Sequence, residues 1–440
     1  MTPLFLVKDS LVNKISYYHL MFLMASLPFD MFYSHLILIS YAIHTMIHVK
    51  KSSFKGILNP RIILLQSVFY ITVLSTIYTI NPNKAFDEWG KDATILLFPI
   101  LFYLNPLDIK KYKTQLLLSF SLVCTATIVY LYLDALITIR HYHLPLSILL
   151  SSVFTNHNFS EPIGMHATFF SMQLAVALVL ILSVLIKAQG KYEKLFYLMC
   201  SAILSAGIIQ LCSKSVFVAL AMIINIAIPY FLLPGTKRRR FKLISASLFL
   251  LVAVGVFSSR ALRDRYIGEL REDLSGQKFD ETTDGRLVRW GVVVDYIGKK
   301  PITGYGAGSE IGLLQDGFFN QKLYNSYLNR LNSHNQYLSF LLKSGVPGLL
   351  FYLATLAFGF GIAFRQKDLL FLTFMTTIAI VSLSENLLDV DKGIFFYAFF
   401  FSFFAFSSTK PEDNIIMKLH NSGIPNRESE MIPINKELIA

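Results

Sequence analysis

The chain has 440 residues, of which 54% are hydrophobic and only 15% charged. That balance excludes an ordinary soluble domain, which needs more polar surface, and fits a chain that leaves apolar faces in lipid. The net charge of +12 does not call for a nucleic-acid partner, because Lys and Arg gather on the cytoplasmic loops of membrane proteins.

Crossing the hydrocarbon takes about 20 apolar residues. Runs of that kind lie at 17–33, 35–49, 62–80, 93–104 (short), 116–139, 164–186, 195–211, 216–233 and 243–257. After a long polar stretch come 345–364, 369–383 and 394–406. The pattern predicts an all-α polytopic membrane protein of about twelve transmembrane helices. The first run continues into further apolar segments without a small-residue cleavage site, so no cleavable signal peptide is expected. Abundant Phe and Tyr (38 and 22 residues) are expected on lipid-facing and interfacial surface.

Positive charge sets the orientation. Lys50, Lys51, Lys55 and Arg61, then Lys110, Lys111 and Lys113, then Lys187, Lys191 and Lys194 fall in alternate loops, followed by 237–242 and Arg365 with Lys367. This places both termini in the cytoplasm. One membrane domain, 1–408, is expected, with a polar, disordered cytoplasmic tail at 409–440. Two longer loops, 141–163 and 258–333, then face outward. The second precedes the tenth span and is expected to form a large helical periplasmic loop, since connections of that length usually carry function. Cys124, Cys200 and Cys212 lie in apolar stretches without metal or disulfide spacing. His141, His143 and His157 share a loop with no cysteine or carboxylate at ligand spacing, so no metal site is expected.

The sharpest local pattern ends the long loop: Ser333-His334-Asn335-Gln336-Tyr337, then Lys343-Ser344-Gly345-Val346-Pro347-Gly348. Helical spacing puts His334 at the start of a helix on one face with Tyr337, Leu338 and Leu341, and the Gly/Pro cluster kinks the chain where a span begins. A neutral imidazole is well suited to take a proton near pH 7, although an interfacial histidine is the plainer reading of such a position. Upstream, Arg286 and Arg289 are three residues apart on one helix face, whose start Asp284 or Thr283 is expected to cap. They suit either a phosphate or a lipid headgroup. Lys214 sits between two apolar spans, where a cation must pair, snorkel or line a cavity. Glu385 is either a solvated loop acid or a partner of His334 or an arginine. His166 opens a span, as a cleft residue or a satisfied histidine.

His-Asn, nine residues, then Gly-x-x-Gly resembles the signature of the O-antigen ligase and O-antigen polymerase superfamily, matched at His334, Asn335, Gly345 and Gly348. Gly285-Arg286…Trp290 and Pro301…Gly304-Tyr305-Gly306 are similar to two further family stretches, and His166 and Glu385 to weaker ones. At Ser213-Lys214 the family usually has Ser-Arg, a departure that keeps the charge but not the planar fork. The resemblance implies a bacterial inner-membrane, inverting glycosyltransferase that needs no metal or cofactor. Its donor is a glycan on undecaprenyl pyrophosphate, its acceptor the lipid A-core oligosaccharide, and its site periplasmic. His334 is then the catalytic residue, with Arg286, Lys214 and Arg289 binding the donor pyrophosphate and Asn335, His166 and Glu385 supporting. An O-antigen polymerase or a protein O-oligosaccharyltransferase would share these residues. A secondary transporter would require inverted repeats with paired broken helices, and the Gly/Pro cluster at 345–348 has no counterpart in the first half.

Overall fold

The computed structural model describes residues 6–258, 260–274 and 284–408. Every regular element among them is helical. The expected Thr283 cap, the tail at 409–440, and positions 259 and 275–283 of the long loop lie outside these residues.

The expected first span divides. Helix α1 (Leu11–Ser26) stops before Pro28, and Asp30 starts α2 (Met31–His48) by accepting a hydrogen bond from the Phe32 amide. Proline removes a helical donor and aspartate supplies a cap, so a short turn forms instead of a continuous rod. The third run likewise becomes α3 (Pro60–Leu65) and α4 (Ser67–Thr76), offset at Gln66. The short fourth run is the second half of a longer helix, α5 (Pro82–Leu104), whose first turns use residues expected in a loop. Asn81 caps it and Pro82 stands at its first position, where a missing N–H costs nothing.

Helices α6 (Ile109–His141), α7 (His157–Ser160), α8 (Ala167–Lys187), α9 (Lys191–Leu211) and α10 (Lys214–Met222) follow. A π-helical turn joins α10 to α11 (Ile228–Leu232), and α12 (Gly235–Ser258) comes next. The long loop contains α13 (Arg260–Arg263), α14 (Glu269–Asp273), α15 (Arg286–Lys299), α16 (Glu310–Asn320) and α17 (Tyr324–Leu328). The chain then closes with α18 (Gln336–Arg365), α19 (Leu369–Val381) and α20 (Asp391–Ser407). Six segments among the described residues are long and apolar enough to cross a membrane: α6, α8, α9, Lys214–Leu232, α12 and α18. Helices α4 and α19 are apolar but shorter.

The phenylalanine-rich α20 corrects one expectation. Phe395, Phe396, Phe399, Phe400, Phe401, Phe403 and Phe404 are all buried, packed with Phe98 and Phe102 of α5 and with Phe371 and Phe374 of α19. These rings fill the protein interior rather than face lipid. The apolar window of α12, by contrast, is only 6% buried.

The long loop builds a small core of its own. Val292 and Val293 of α15, Leu314 and Phe318 of α16, Tyr305 and Leu323 pack onto Leu342 of α18. That contact seats α15 and its arginines against the start of α18. The three cysteines are buried and free.

Candidate active site

His334 does not sit on the helix as its spacing suggested. It occupies a left-handed bend (φ 46°), and Asn335 is the residue that begins α18. The Asn335 side-chain oxygen accepts from the amides of Tyr337 (3.0 Å) and Leu338 (3.2 Å), satisfying two donors of the first turn. A side chain that caps from a non-helical position leaves the preceding residue free to turn away, and so the imidazole leaves the Tyr337 face.

The bend is held on several sides. Trp290 of α15 donates its indole N–H to the Ser333 carbonyl at 2.8 Å. The Ser333 amide donates to Glu310 Oε1 (2.8 Å), the Asn335 amide to Asn386 Oδ1 (2.8 Å), and the Gln336 amide to the Ser382 carbonyl (2.8 Å).

The imidazole is 28% exposed, and its Nδ1 stands 3.4 Å from Glu385 Oε2, at ion-pair distance but without hydrogen-bond alignment. Burial alone would lift the Glu385 carboxyl, but His334, His166 and Arg286 more than offset it and hold the group below the usual range. Glu385 is therefore a carboxylate at neutral pH, and its attraction for the Arg286 guanidinium is lost only as pH falls through that lowered value.

Arg286 joins the same cluster, donating from Nη1 to the Ser384 carbonyl at 2.7 Å and standing 3.3 Å from Asp273 through Nε. One turn on, Arg289 is buried to 6% exposure, and its Nε and Nη1 meet no hydrogen-bond partner. Burial first, and then the neighbouring Arg286, push its pKa down to about 10, which still leaves it cationic at neutral pH. An ionised, dehydrated guanidinium with idle donors has the chemistry of an anion site.

Of the two caps expected for α15, Asp284 does not serve. Gly285 holds the cap position without a side chain, while Asp284 Oδ2 instead accepts from the amide and hydroxyl of Ser326, both at 2.8 Å. Asp284 ties α15 to α17.

Lys214 heads α10 and pairs with Glu269 at 3.1 Å, a carboxylate it shares with Arg265. It is therefore neither bare nor merely snorkelling. His166 immediately precedes α8. Its ring lies 4.1 Å from that of His157, and its Nδ1 is buried without a partner. Among the described residues, no three His, Cys, Asp or Glu side chains are grouped to hold a metal ion.

The signature glycines belong to the architecture. At Gly345, inside α18, the backbone turns to φ 63° and ψ −162°, a conformation open essentially to glycine alone. Residues 301–308 wedge into this break. The amides of Tyr305 and Gly306 take up the freed carbonyls of Leu342 and Lys343 at 2.9 and 2.8 Å, and the Val346 amide returns a bond to the Pro301 carbonyl at 2.9 Å. Farther along the wedge, the Ile80 amide donates to the Tyr305 carbonyl at 3.3 Å and the Thr79 hydroxyl to the Ala307 carbonyl. The break is thus hydrogen-bonded, and the wedge joins α18 to the start of α5.

A buried ionic group lies behind the bend. Lys343 is 9% exposed by side chain and pairs with Asp389 (2.7 Å) and Glu88 (3.5 Å), beside a small cavity also lined by Asp92 and Gln336. These residues, with Glu310 and Asn386, were missed in the sequence. The available signals were a lone lysine inside an apolar helix and two acids four residues apart at 88 and 92. Neither reveals its partner.

Lys214, the two arginines, His334, Asn335 and the Gly345 break all lie in the segment that matches a known family. Residues 199–353 match the O-antigen ligase family. The matched stretch runs from within α9 to the part of α18 just past its break. It supports the resemblance carried by the His-Asn and Gly-x-x-Gly residues and a membrane glycosyltransferase-type family. His166, Glu385 and Asn386 fall outside it. No curated protein matches the chain.

Proposed function

We propose that this protein is a ligase that transfers an O-antigen or similar glycan from undecaprenyl pyrophosphate to lipid A-core oligosaccharide. The observation that carries this reading is the grouping of His334, Arg286 and the idle-donor Arg289, all within the O-antigen ligase segment, with the ionised Glu385 from outside it. Glu385 favours the tautomer with the proton on Nδ1, so that Nε2 is free to accept. On this reading Nε2 takes the acceptor hydroxyl proton as that oxygen attacks the anomeric carbon. The bond from that carbon to the phosphate oxygen breaks, undecaprenyl pyrophosphate leaves, and attack from the opposite side inverts the centre. Arg289 and Arg286 meet the charge that develops on the leaving pyrophosphate. Lys214, held by Glu269, adds a positive potential, while Asn335 and His166 support the site. The reaction calls for no cofactor or resident metal.

The proposed topology keeps twelve crossings in a membrane domain spanning 1–408, both termini and the 409–440 tail in the cytoplasm, and the site on the periplasmic face of a bacterial inner membrane. Alternation of the lysine- and arginine-rich loops supports it.

Arg286→Lys is expected to lower kcat/KM about tenfold or more despite the retained charge, because lysine cannot both reach the Ser384 carbonyl and present a planar fork. Wild-type kinetics in reconstituted transfer would remove Arg286 from the donor site. The acceptor is tested by deleting the gene and resolving lipopolysaccharide on gels. A ligase defect leaves uncapped core and accumulated lipid-linked polymer. Core capped with single repeats would identify a polymerase instead, and unchanged lipopolysaccharide with unglycosylated protein a protein-glycosylating enzyme.

A further inference from the structure

The main chain around His334 is gripped by two buried side chains from distant parts of the sequence. Glu310, at the start of α16, is 4% exposed, and Asn386, in the turn before α20, is 3% exposed. Glu310 Oε1 accepts from the Ser333 amide (2.8 Å) and from Asn386 Nδ2 (2.9 Å), while Oε2 accepts from the Ser339 hydroxyl. Asn386 Oδ1 accepts from the Asn335 amide (2.8 Å) and the Ser333 hydroxyl (3.0 Å), and its Nδ2 also donates to Asp389 Oδ2 (2.7 Å). The residues on both sides of His334 are therefore fixed by one connected pair, and the pair is anchored in turn to the Lys343–Asp389 ion pair.

Geometry makes this grip consequential. His334 holds a positive φ that a residue with a Cβ adopts only under constraint. Its imidazole faces Glu385, the residue adjacent to Asn386 in sequence, so Asn386 locates both partners of the pair. None of the described bonds of the Glu310 and Asn386 side chains runs to His334 itself; they go to the flanking backbone, to the Ser333 and Ser339 hydroxyls, to Asp389 and to one another.

We propose that Glu310 and Asn386 are positioning residues for transfer, holding the 333–335 backbone in the bend that aims His334 at Glu385 and at the acceptor. The proposal rests on the reading of His334 as the group that acts on the acceptor hydroxyl. Since misplacement of a reacting group by about 1 Å can cost roughly a hundredfold in rate, loss of the grip is expected to appear in kcat.

The test uses the full chain in proteoliposomes, with undecaprenyl-pyrophosphate-linked O-antigen as donor and purified uncapped lipid A-core as acceptor. Glu310→Ala and Asn386→Ala are expected to lower kcat about a hundredfold while leaving the donor KM within about twofold, because none of the described bonds of these two side chains runs to Arg286 or Arg289. Glu310→Gln keeps a carbonyl oxygen for the Ser333 amide and is expected to recover most of the rate. Should Glu310→Ala fail to fold, Glu310→Asp, which retracts the carboxylate by one methylene, is expected to lose about tenfold in kcat. Wild-type kcat in folded Glu310→Ala and Asn386→Ala, or in Glu310→Asp, overturns the proposal. So does a loss confined to KM, or a Glu310→Gln variant as impaired as Glu310→Ala. His334→Ala is assayed alongside. Retained transfer there defeats the reading of His334, whereas its loss beside fully active Glu310 and Asn386 variants defeats only the positioning role.

Discussion

His334→Ala is expected to reduce transfer roughly a thousandfold or more, within the range that a positioned acid or base contributes, while the protein still folds and inserts. The side chain is only part-buried and makes no hydrogen bond through Nδ1. The bend around it is held through the backbone by Glu310, Asn386 and Trp290. Removing the ring therefore deletes chemistry and little packing. A sugar hydroxyl is a poor nucleophile without a base, and the Glu385 carboxylate stands on the Nδ1 side of the imidazole, 3.4 Å away. The measurement is single-turnover transfer in proteoliposomes, normalised to folded protein by gel filtration. Transfer within about tenfold of wild type would show that another group takes the proton.

Gly345→Ala is expected to unfold the protein or prevent its accumulation. A Cβ at this position would lie 2.0 Å from the carbonyl oxygen of Ile302 and 2.3 Å from its carbon, both backbone atoms without rotamers to escape by. The conformation alone costs a residue with a side chain about 1–3 kcal/mol. The clash adds the displacement of residues 301–308, whose amides serve the carbonyls of Leu342 and Lys343. Gly361 is the internal control. It lies in the same helix with open space around it, and alanine there is expected to stabilise by about 0.5–1 kcal/mol. Thermal unfolding in detergent compares the two, and equal melting temperatures for Gly345→Ala and wild type would contradict the wedge.

Gly345 shows how much of this site could be read in advance. The motif pointed to the kink, but the reason for it is a backbone segment some forty residues upstream, which no local pattern encodes. His334 was legible as the residue to watch, yet its helical spacing misled. Spacing describes a residue only once it is inside a helix, and Asn335, by capping, placed His334 outside. Asp284 misled in the opposite sense, being a good capping residue by type whose carboxylate found better donors on Ser326. Glu310, Asn386 and Lys343 were not legible because a buried polar side chain is defined by its partners, and theirs come from helices far away in the chain.

The sequence by itself determined the all-helical, membrane-type composition, the position of most apolar segments, and the His-Asn and Gly-x-x-Gly residues. These follow from hydropathy, from helical periodicity and from residue type, all of which are local. Tertiary structure decided which apolar helices are wrapped by protein and which are left bare. Hydropathy reports that a side chain leaves water, not whether lipid or another helix receives it. So the phenylalanines of α20 are interior while α12 stands almost unburied. Tertiary structure also decided the site, since the arginines, Glu385 and the grip on His334 meet only when the long loop folds its own core onto Leu342.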